Sequence, residues 1–397
     1  MKILHILGNG RIHRDPSSAA LSGAVRATLE YAKHQASFGH DVQVVGFGEQ
    51  NLSFTWCGVK MVSLKEFHWA KFRLGKRELD FSRHFPFVIH AFSTRFDVVH
   101  SHMHPYLRWI RGRIKIAHIH VAPSSDIDGH LLPQTRLGLA QLDKHAHAVI
   151  AVSQFVREQL LLDIKKQKIQ IIYNGGGFTN DQWNESLSRR NNNREKLNIS
   201  STDVLIMYAG AFVPDKGIHH LAQSFTAVAE KYTNAHIALV GGGLWGNTQI
   251  PNSSDRRYTE KVHAILAPIA TKTHFLGLVP SGQMIDIYAA ADILVVPSVC
   301  REAFGITALE GLSGALPVIA SNSGGLAELI GEQRGLLIPP GDEHALTEAL
   351  ERLISNPEER KVLGERGQSY ARQPQFTWEE AARQTIALYE RYLGDQQ

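Results

Sequence analysis

A chain of 397 residues, 43% hydrophobic and 20% charged, is too long for one ordinary core, and two globular domains are expected. No apolar run has the length of a membrane span, and MKILHILGNG opens directly as a strand, so no signal peptide is expected. Two cysteines, Cys57 and Cys300, make neither a disulfide framework nor a metal knuckle and point to a reducing, cytoplasmic setting. The net charge of +4 is unevenly spread. Between Lys65 and Lys115, eleven Lys or Arg face four acids, with Phe67, Trp69, Phe72, Phe81, Phe85, Phe87, Phe92 and Trp109 interleaved. That segment reads first as a solvated face over buried aromatics. Its sharper reading is a peripheral contact with anionic lipid at the inner membrane face. No recognition motif accompanies the charge, so nucleic acid is not expected as a partner.

In chain order, Ile3–Leu7 reads as a first buried strand. A polar loop follows, and Gly23 opens a helix to about Phe38 with Val25, Leu29, Ala32 and Ala36 on one face. Gly39 stops it, and Val42–Val45 is the second strand. Gly8, Gly10 and Gly23 lie too far apart for a G-x-G-x-x-G fingerprint, so a dinucleotide cofactor is disfavoured. Val98–Ser101, Ile114–His120, Ala148–Val152 and Ile169–Tyr173 continue as strands, with a helix over Gln154–Leu161. Strands alternating with helices imply a doubly wound, mostly parallel sheet.

His100, His102 and His104 alternate, as do His118 and His120. Residues two apart on a strand share a face, which makes a metal conceivable, but no cysteine stands near and hydrogen bonding in a polar cleft is the plainer reading. No metal is expected. His120 ends its strand just before Val121-Ala122-Pro123, where an open α/β sheet keeps its ligand groups. Asp126-Ile127-Asp128 spells a D-x-D that can hold a divalent ion but reads here as turn chemistry.

Residues 174–193, NGGGFTNDQWNESLSRRNNN, are rich in Gly, Asn and Ser and mark the boundary. The expected division is a first domain over 1–173, a linker over 174–197, a second domain over 198–372, and a terminal helix within 373–397 that crosses back to the first domain. The second series runs Val204–Ala209, the turn GAFVPDKG over 210–217, the helix Ile218–Lys231 and Ala235–Val240 before Gly241-Gly242-Gly243. Thr273–Leu276, Ile293–Val296, Pro317–Ala320 and Gly335–Ile338 extend its sheet. Glu302, Phe304 and Gly305 open a helix that carries Glu310, and Ser323-Gly324-Gly325 open the next. Free N–H groups at such helix starts favour an anion such as a diphosphate, and Lys216 beside Gly217 can add a cation to them. Glu302 and Glu310, eight apart, are read as facing one ligand from different depths.

EAFGITALE over 302–310, together with GAFVPDKG, VGGG, FLGLVPSGQMIDIYAAADILVVPS and SNSGGLAELI in that order, resembles the family-4 retaining glycosyltransferases. The resemblance covers nearly the whole chain. It implies a GT-B fold, two Rossmann-like domains facing a cleft. It also implies transfer of a hexose from a nucleotide diphosphate sugar to a glycan or glycolipid, in polysaccharide or glycolipid biosynthesis. UDP-glucose is favoured as donor, GDP-mannose is next, and no metal or other cofactor is implied. By the same resemblance Glu302 binds donor-sugar hydroxyls and Glu310 the ribose. The amides of Phe304, Gly305 and Ile306 meet the sugar and diphosphate, and Lys216 neutralises the leaving group. Gly23 sits near the phosphates, His120 lies beside the sugar, and backbone near Val279 holds the base. The family commonly carries an Arg after the first Gly of G-x-x-x-P-x-K-G; here that residue is Ala211, with Arg301 or Arg26 as substitutes. Two further readings are a GT-B epimerase acting on UDP-GlcNAc and a catalytically silent nucleotide-sugar-binding subunit.

Overall fold

The computed structural model describes residues 1–16, 19, 21–48, 50–65, 71–74, 77–80, 95–102, 107, 110–123, 132–242 and 254–395. Most of the basic, aromatic stretch within 65–115, His104, the Asp126–Asp128 motif and Gly243 lie outside the described residues. The chain forms two compact units: one of Met1–Pro16, Leu21–Gly175 and Trp378–Gln397, the other built on Gly176–Thr377.

In the first unit the strands are β1 (Lys2–Arg11), β2 (Asp41–Gly48), β3 (Leu52–Trp56), β4 (Val59–Lys65), β5 (Lys71–Leu74), β6 (Arg77–Asp80), β7 (Val98–Ser101), β8 (Ile114–Ile119), β9 (Ala148–Ala151) and β10 (Ile169–Ile171). Eight of them form one sheet in the order β10-β9-β8-β7-β1-β2-β4-β3, while β5 and β6 pair separately. Within that sheet the β3–β4 pair is antiparallel and the other pairs are parallel. Apolar runs such as Ala148–Ala151 are buried throughout, as strands covered on both faces require. The β3–β4 hairpin was not expected from sequence. Its two-residue turn places Cys57 and Gly58 at positive φ (47° and 78°), the geometry that matches strand twist.

The helix Gly23–Ser37 buries Thr28, Tyr31, Ala32 and Gln35, so Gln35 rather than Ala36 continues its inner face. Against it packs the terminal helix Trp378–Gly394, whose Ala381, Ala382, Thr385, Ile386, Leu388 and Tyr389 are buried. The amide of Gln35 bonds Thr385 and Tyr389 within the core of this unit.

The second unit holds β11 (Val204–Ala209), β12 (Ala235–Val240), β13 (Thr273–Gly277), β14 (Ile293–Val296), β15 (Val318–Ser321) and β16 (Gly335–Ile338). They form an all-parallel sheet ordered β13-β12-β11-β14-β15-β16. Strand order reverses between β11 and β14, and a crevice opens at the carboxyl ends of strands at such a switch point. The core around β11, β12 and the helix Ile218–Lys231 includes Ile206, Phe225, Ile237, Ile293 and Leu350.

The segment read as a linker is structured. Thr179 caps the helix Asn180–Ser188 through a capping box with Gln182, and Arg190–Glu195 follows as another short helix. Arg194 is 2% exposed. Its guanidinium donates to the Asp292 carboxylate (2.9 Å) and to the carbonyls of Ala290, Ser200 and Asp203. The polar composition that suggested a loop is the exposed side of helices pinned to the start of β14.

Candidate active site

The two loops at the switch point of the second unit carry its charged groups. After β11 the chain turns through Gly210–Gly217, and Gly217 at φ 65° begins the helix Ile218–Lys231. A β-carbon on Gly217 would stand 1.9 Å from the carbonyl oxygen of Pro297, just past β14, so only glycine lets the two loops approach. The amides of Val299 and Cys300 donate to the Asp215 carbonyl at 3.0 and 3.1 Å, closing the approach.

This closure brings Lys216 and Glu302 together. The Nζ of Lys216 donates to Oε1 of Glu302 in a short ion pair. The buried Ser298 hydroxyl donates to the same oxygen at 2.7 Å. Burial pulls the Lys216 ammonium pKa down, but Glu302, helped by Cys300 and Asp215, outweighs it and the net shift is upward. The lysine is therefore a fixed cation at neutral pH. Burial and then the Glu302 charge push the neighbouring Cys300 thiol up to about 11, so it stays protonated and is a poor nucleophile.

Glu302 does not begin the helix that carries Glu310. That helix is Ile306–Ser313, and Gly305 at φ 101° breaks the backbone before it. A two-turn helical spacing between the two acids therefore does not hold. Glu302 lies on a strap, half-buried, whose carbonyl accepts the Gly325 amide at 2.7 Å. A β-carbon on Gly324 would lie 2.2 Å from that same carbonyl oxygen. Glu310 is 3% exposed and accepts a hydrogen bond from the Tyr288 hydroxyl at 2.8 Å on Oε2. Phe304 is buried, while Gly305 and Ile306 are half-buried at the helix start. Val279 is half-buried in the loop after β13. Ala211, where an Arg was expected, accepts the Tyr208 hydroxyl on its carbonyl. Ser298 and Tyr288 were not anticipated; Tyr288 lies 22 residues from its acid, and Ser298 reaches Glu302 from four residues before it on a stretch that is not helical.

In the first unit five histidines gather where β1, β7 and β8 lie side by side. His5 and His100 are register partners across β1 and β7, and His118 and His120 end β8. The His118 and His120 rings stack 4.1 Å apart. His5, His100 and His102 form one group with ring nitrogens within 4.8 Å, and His102, His118 and His120 form another. Both nitrogens of His102 are already bonded, to His5 and His120 at 3.0 and 2.7 Å, so a metal shared through it would have to displace those bonds. Burial first, and then neighbouring ring charges, hold His100, His102 and His118 well below the usual histidine range. Burial takes His5 to about 4 against the opposing bond to Gln35. Gly23 is exposed at the start of its 15-residue helix, where Ser22 supplies no side-chain cap.

Sequence models of two families match the chain. That described as Glycosyl transferases group 1 matches residues 189–370, and that described as Glycosyltransferase Family 4 matches 21–175. The chain belongs to the family-4, group 1 glycosyltransferases of the GT-B fold. An uncharacterized glycosyltransferase of Methanocaldococcus jannaschii is 27% identical over 244 residues, 61% of this chain and 59% of that protein. The D-inositol 3-phosphate glycosyltransferase of Corynebacterium glutamicum is 25% identical over 315 residues, 74% of this chain and 72% of its own length. Aligned regions thus leave a quarter or more of each relative unmatched. Among solved structures, sucrose-phosphate synthase of Thermosynechococcus elongatus superposes with a TM-score of 0.79 at 21% identity over the whole of both chains. Alr3699/HepE of Anabaena, in complex with UDP-glucose, superposes at 0.74 and 19% identity over 98% of this chain and 100% of that one. The fold of this glycosyltransferase, two parallel-sheet α/β domains of GT-B type, is shared with both.

Proposed function

We propose that this glycosyltransferase moves a hexose, with retention of configuration, from a nucleotide diphosphate sugar to a glycan or glycolipid acceptor in glycolipid or polysaccharide biosynthesis. UDP-glucose is the favoured donor and GDP-mannose the competitor. The observation that carries the reading is the Lys216–Glu302 pair at the switch point of the second unit.

Breaking a sugar–phosphate bond leaves negative charge on the diphosphate and positive charge at the anomeric carbon. A lysine kept in the charged state by Glu302 supplies a cation for the first of these. When the diphosphate arrives, Lys216 moves its hydrogen bond toward it. Glu302, still held by Ser298, turns an acceptor oxygen to the sugar hydroxyls. Glu310, oriented by Tyr288, accepts from the ribose. The amides of Phe304, Gly305 and Ile306 face the sugar and phosphates, Val279 backbone holds the base, and Gly23 lies near the phosphates. His120 orients the donor sugar. Retention follows if the departing phosphate takes the acceptor proton on the face it leaves. No residue then forms a covalent intermediate, in keeping with a carboxylate already engaged by two donors.

The likeness to Alr3699/HepE, crystallised with UDP-glucose, supports that donor class. The inositol-phosphate enzyme of Corynebacterium glutamicum supports a hydroxyl-rich acceptor. The decisive experiment screens UDP- and GDP-sugars by thermal shift and then measures sugar transfer and donor hydrolysis. Unchanged transfer and hydrolysis in Glu302→Ala would remove the assignment of this site. Peripheral binding to anionic membrane through 65–115 belongs to the same proposal, and vesicle flotation insensitive to anionic lipid would eliminate it.

A further inference from the structure

Five histidines of the first unit, His5, His100, His102, His118 and His120, are joined into two branches that meet at one amide, and the direction of every bond can be worked out. Thr385 donates its hydroxyl proton to the Ala382 carbonyl at 2.7 Å. It can therefore only accept from Gln35, whose Nε2 lies 2.8 Å away. That fixes the amide: Nε2 faces Thr385 and Tyr389, and Oε1 faces His5 at 2.8 Å.

Because Oε1 only accepts, His5 carries its proton on Nε2 and leaves Nδ1 as an acceptor. His102 must donate from Nε2 to His5 Nδ1 (3.0 Å), and His120 must donate from Nε2 to His102 Nδ1 (2.7 Å). The other branch runs the same way. Tyr389 accepts from Gln35, so its proton goes to His100 Nδ1. His100 then donates from Nε2 to His118 Nδ1 at 3.1 Å. Each step holds for neutral rings, the form that burial imposes on His5, His100, His102 and His118.

We propose that Gln35, locked by Thr385 and Tyr389 of the terminal helix, acts through His5 and His102 to hold neutral His120 as the Nε2–H tautomer, which leaves its Nδ1, a buried atom, as the acceptor that a donor-sugar hydroxyl would meet. This rests on the reading that His120 meets the donor sugar. An acceptor at that atom selects a hydroxyl, which can donate, over a phosphate oxygen, which cannot. It also explains why a buried strand carries His5 in an otherwise apolar run, and why a helix core carries Gln35. Both are positioning residues: neither needs to touch the substrate.

The test labels the histidines of the full chain with ¹⁵N and reads the tautomers at neutral pH without any donor present, each ring being assigned by replacing it singly. All five rings are expected to be pyrrole-like at Nε2 and pyridine-like at Nδ1. A proton on Nδ1 of His5, His102 or His120 overturns the proposal. Tyr389→Phe is expected to disturb His100 and His118 while leaving the tautomer of His120 as it was. Gln35→Met removes the acceptor at the head of the ladder. It is expected to mix the tautomers of His5, His102 and His120 and to lower kcat/KM for the donor about tenfold, the worth of one such bond. Wild-type kcat/KM in Gln35→Met with mixed tautomers overturns the positioning role while leaving the transferase reading intact. If Gln35→Met does not fold, the wild-type spectrum decides. Absence of turnover with every nucleotide sugar, alongside the expected spectrum, overturns the substrate role instead.

Discussion

Lys216 and Glu302, 86 residues apart, share one short ion pair across the ends of β11 and β14. The pair exists because Gly217 lets the first loop close on Pro297 and because Asp215 accepts two amides from the second loop. Lys216→Met removes the cation and keeps the stem. Turnover is expected to fall by about 10²–10³, the usual worth of one charge-stabilising donor. Partial exposure screens the pair, so unfolding free energy should change by less than about 1 kcal/mol. Parallel measurement of kcat and of urea unfolding checks both, and a fold lost together with activity would make Lys216 structural.

Gly217→Ala meets a rigid obstacle. Its β-carbon would lie 1.9 Å from the Pro297 carbonyl at a φ that side chains rarely adopt. The loops must separate, at a cost of roughly 2–4 kcal/mol, and donor affinity should fall with them. Gly282→Ala, with open space around it, serves as the control and should unfold like the parent.

Arg194→Met takes one partner from Asp292 and removes four hydrogen bonds to the carbonyls of Ser200 and Asp203, ahead of β11, and of Ala290, ahead of β14. Breaking so buried a pair should destabilise by about 3–5 kcal/mol in denaturant unfolding. Retention of parental stability would show that these contacts form only loosely in solution.

Tyr288→Phe takes away a hydrogen bond to Glu310 in a buried position. The carboxylate is then under-satisfied, a loss of about 1–3 kcal/mol. If Glu310 binds the ribose, KM for the donor should rise more than kcat falls, because the contact is made equally in ground and transition states. Steady-state kinetics separates the two terms.

The buried histidines make stability depend on pH in a definite direction. His5 titrates near 4 in the folded chain, and His100, His102 and His118 also lie well below 6.5. Below pH 6.5 the unfolded chain binds protons that the folded chain refuses, so stability rises with pH in that range and falls as pH drops from 6.5 toward 4. Each such histidine contributes about 1.4 kcal/mol per pH unit once the unfolded form is protonated. Urea midpoints between pH 7.5 and 5 should fall steeply, and His118→Asn should flatten the slope; an unchanged slope would place that ring outside the linkage.

Short-range sequence signals determined most of the framework. Val204–Ala209 and Ile293–Val296 were legible as strands because burial on both faces requires an unbroken apolar run. The acids at 302 and 310 and Lys216 were legible because their motif lies within a few residues of a glycine turn. Strand order decided the rest. The contact of Lys216 with Glu302 follows from β11 lying beside β14, and that of Gln35 with His5 from a helix laid across β1. Tyr288 and Tyr389 gain their roles only from partners 22 and 289 residues away along the chain. The helices of 180–195 were hidden for the same reason: their composition is that of a loop, and it is burial of Trp183 and the pairing of Arg189 with Asp286 and of Arg190 and Arg194 with Asp292 that give the segment something to fold onto. Local sequence encodes propensity and turn chemistry; which side chains meet is set by packing between segments that the sequence leaves far apart.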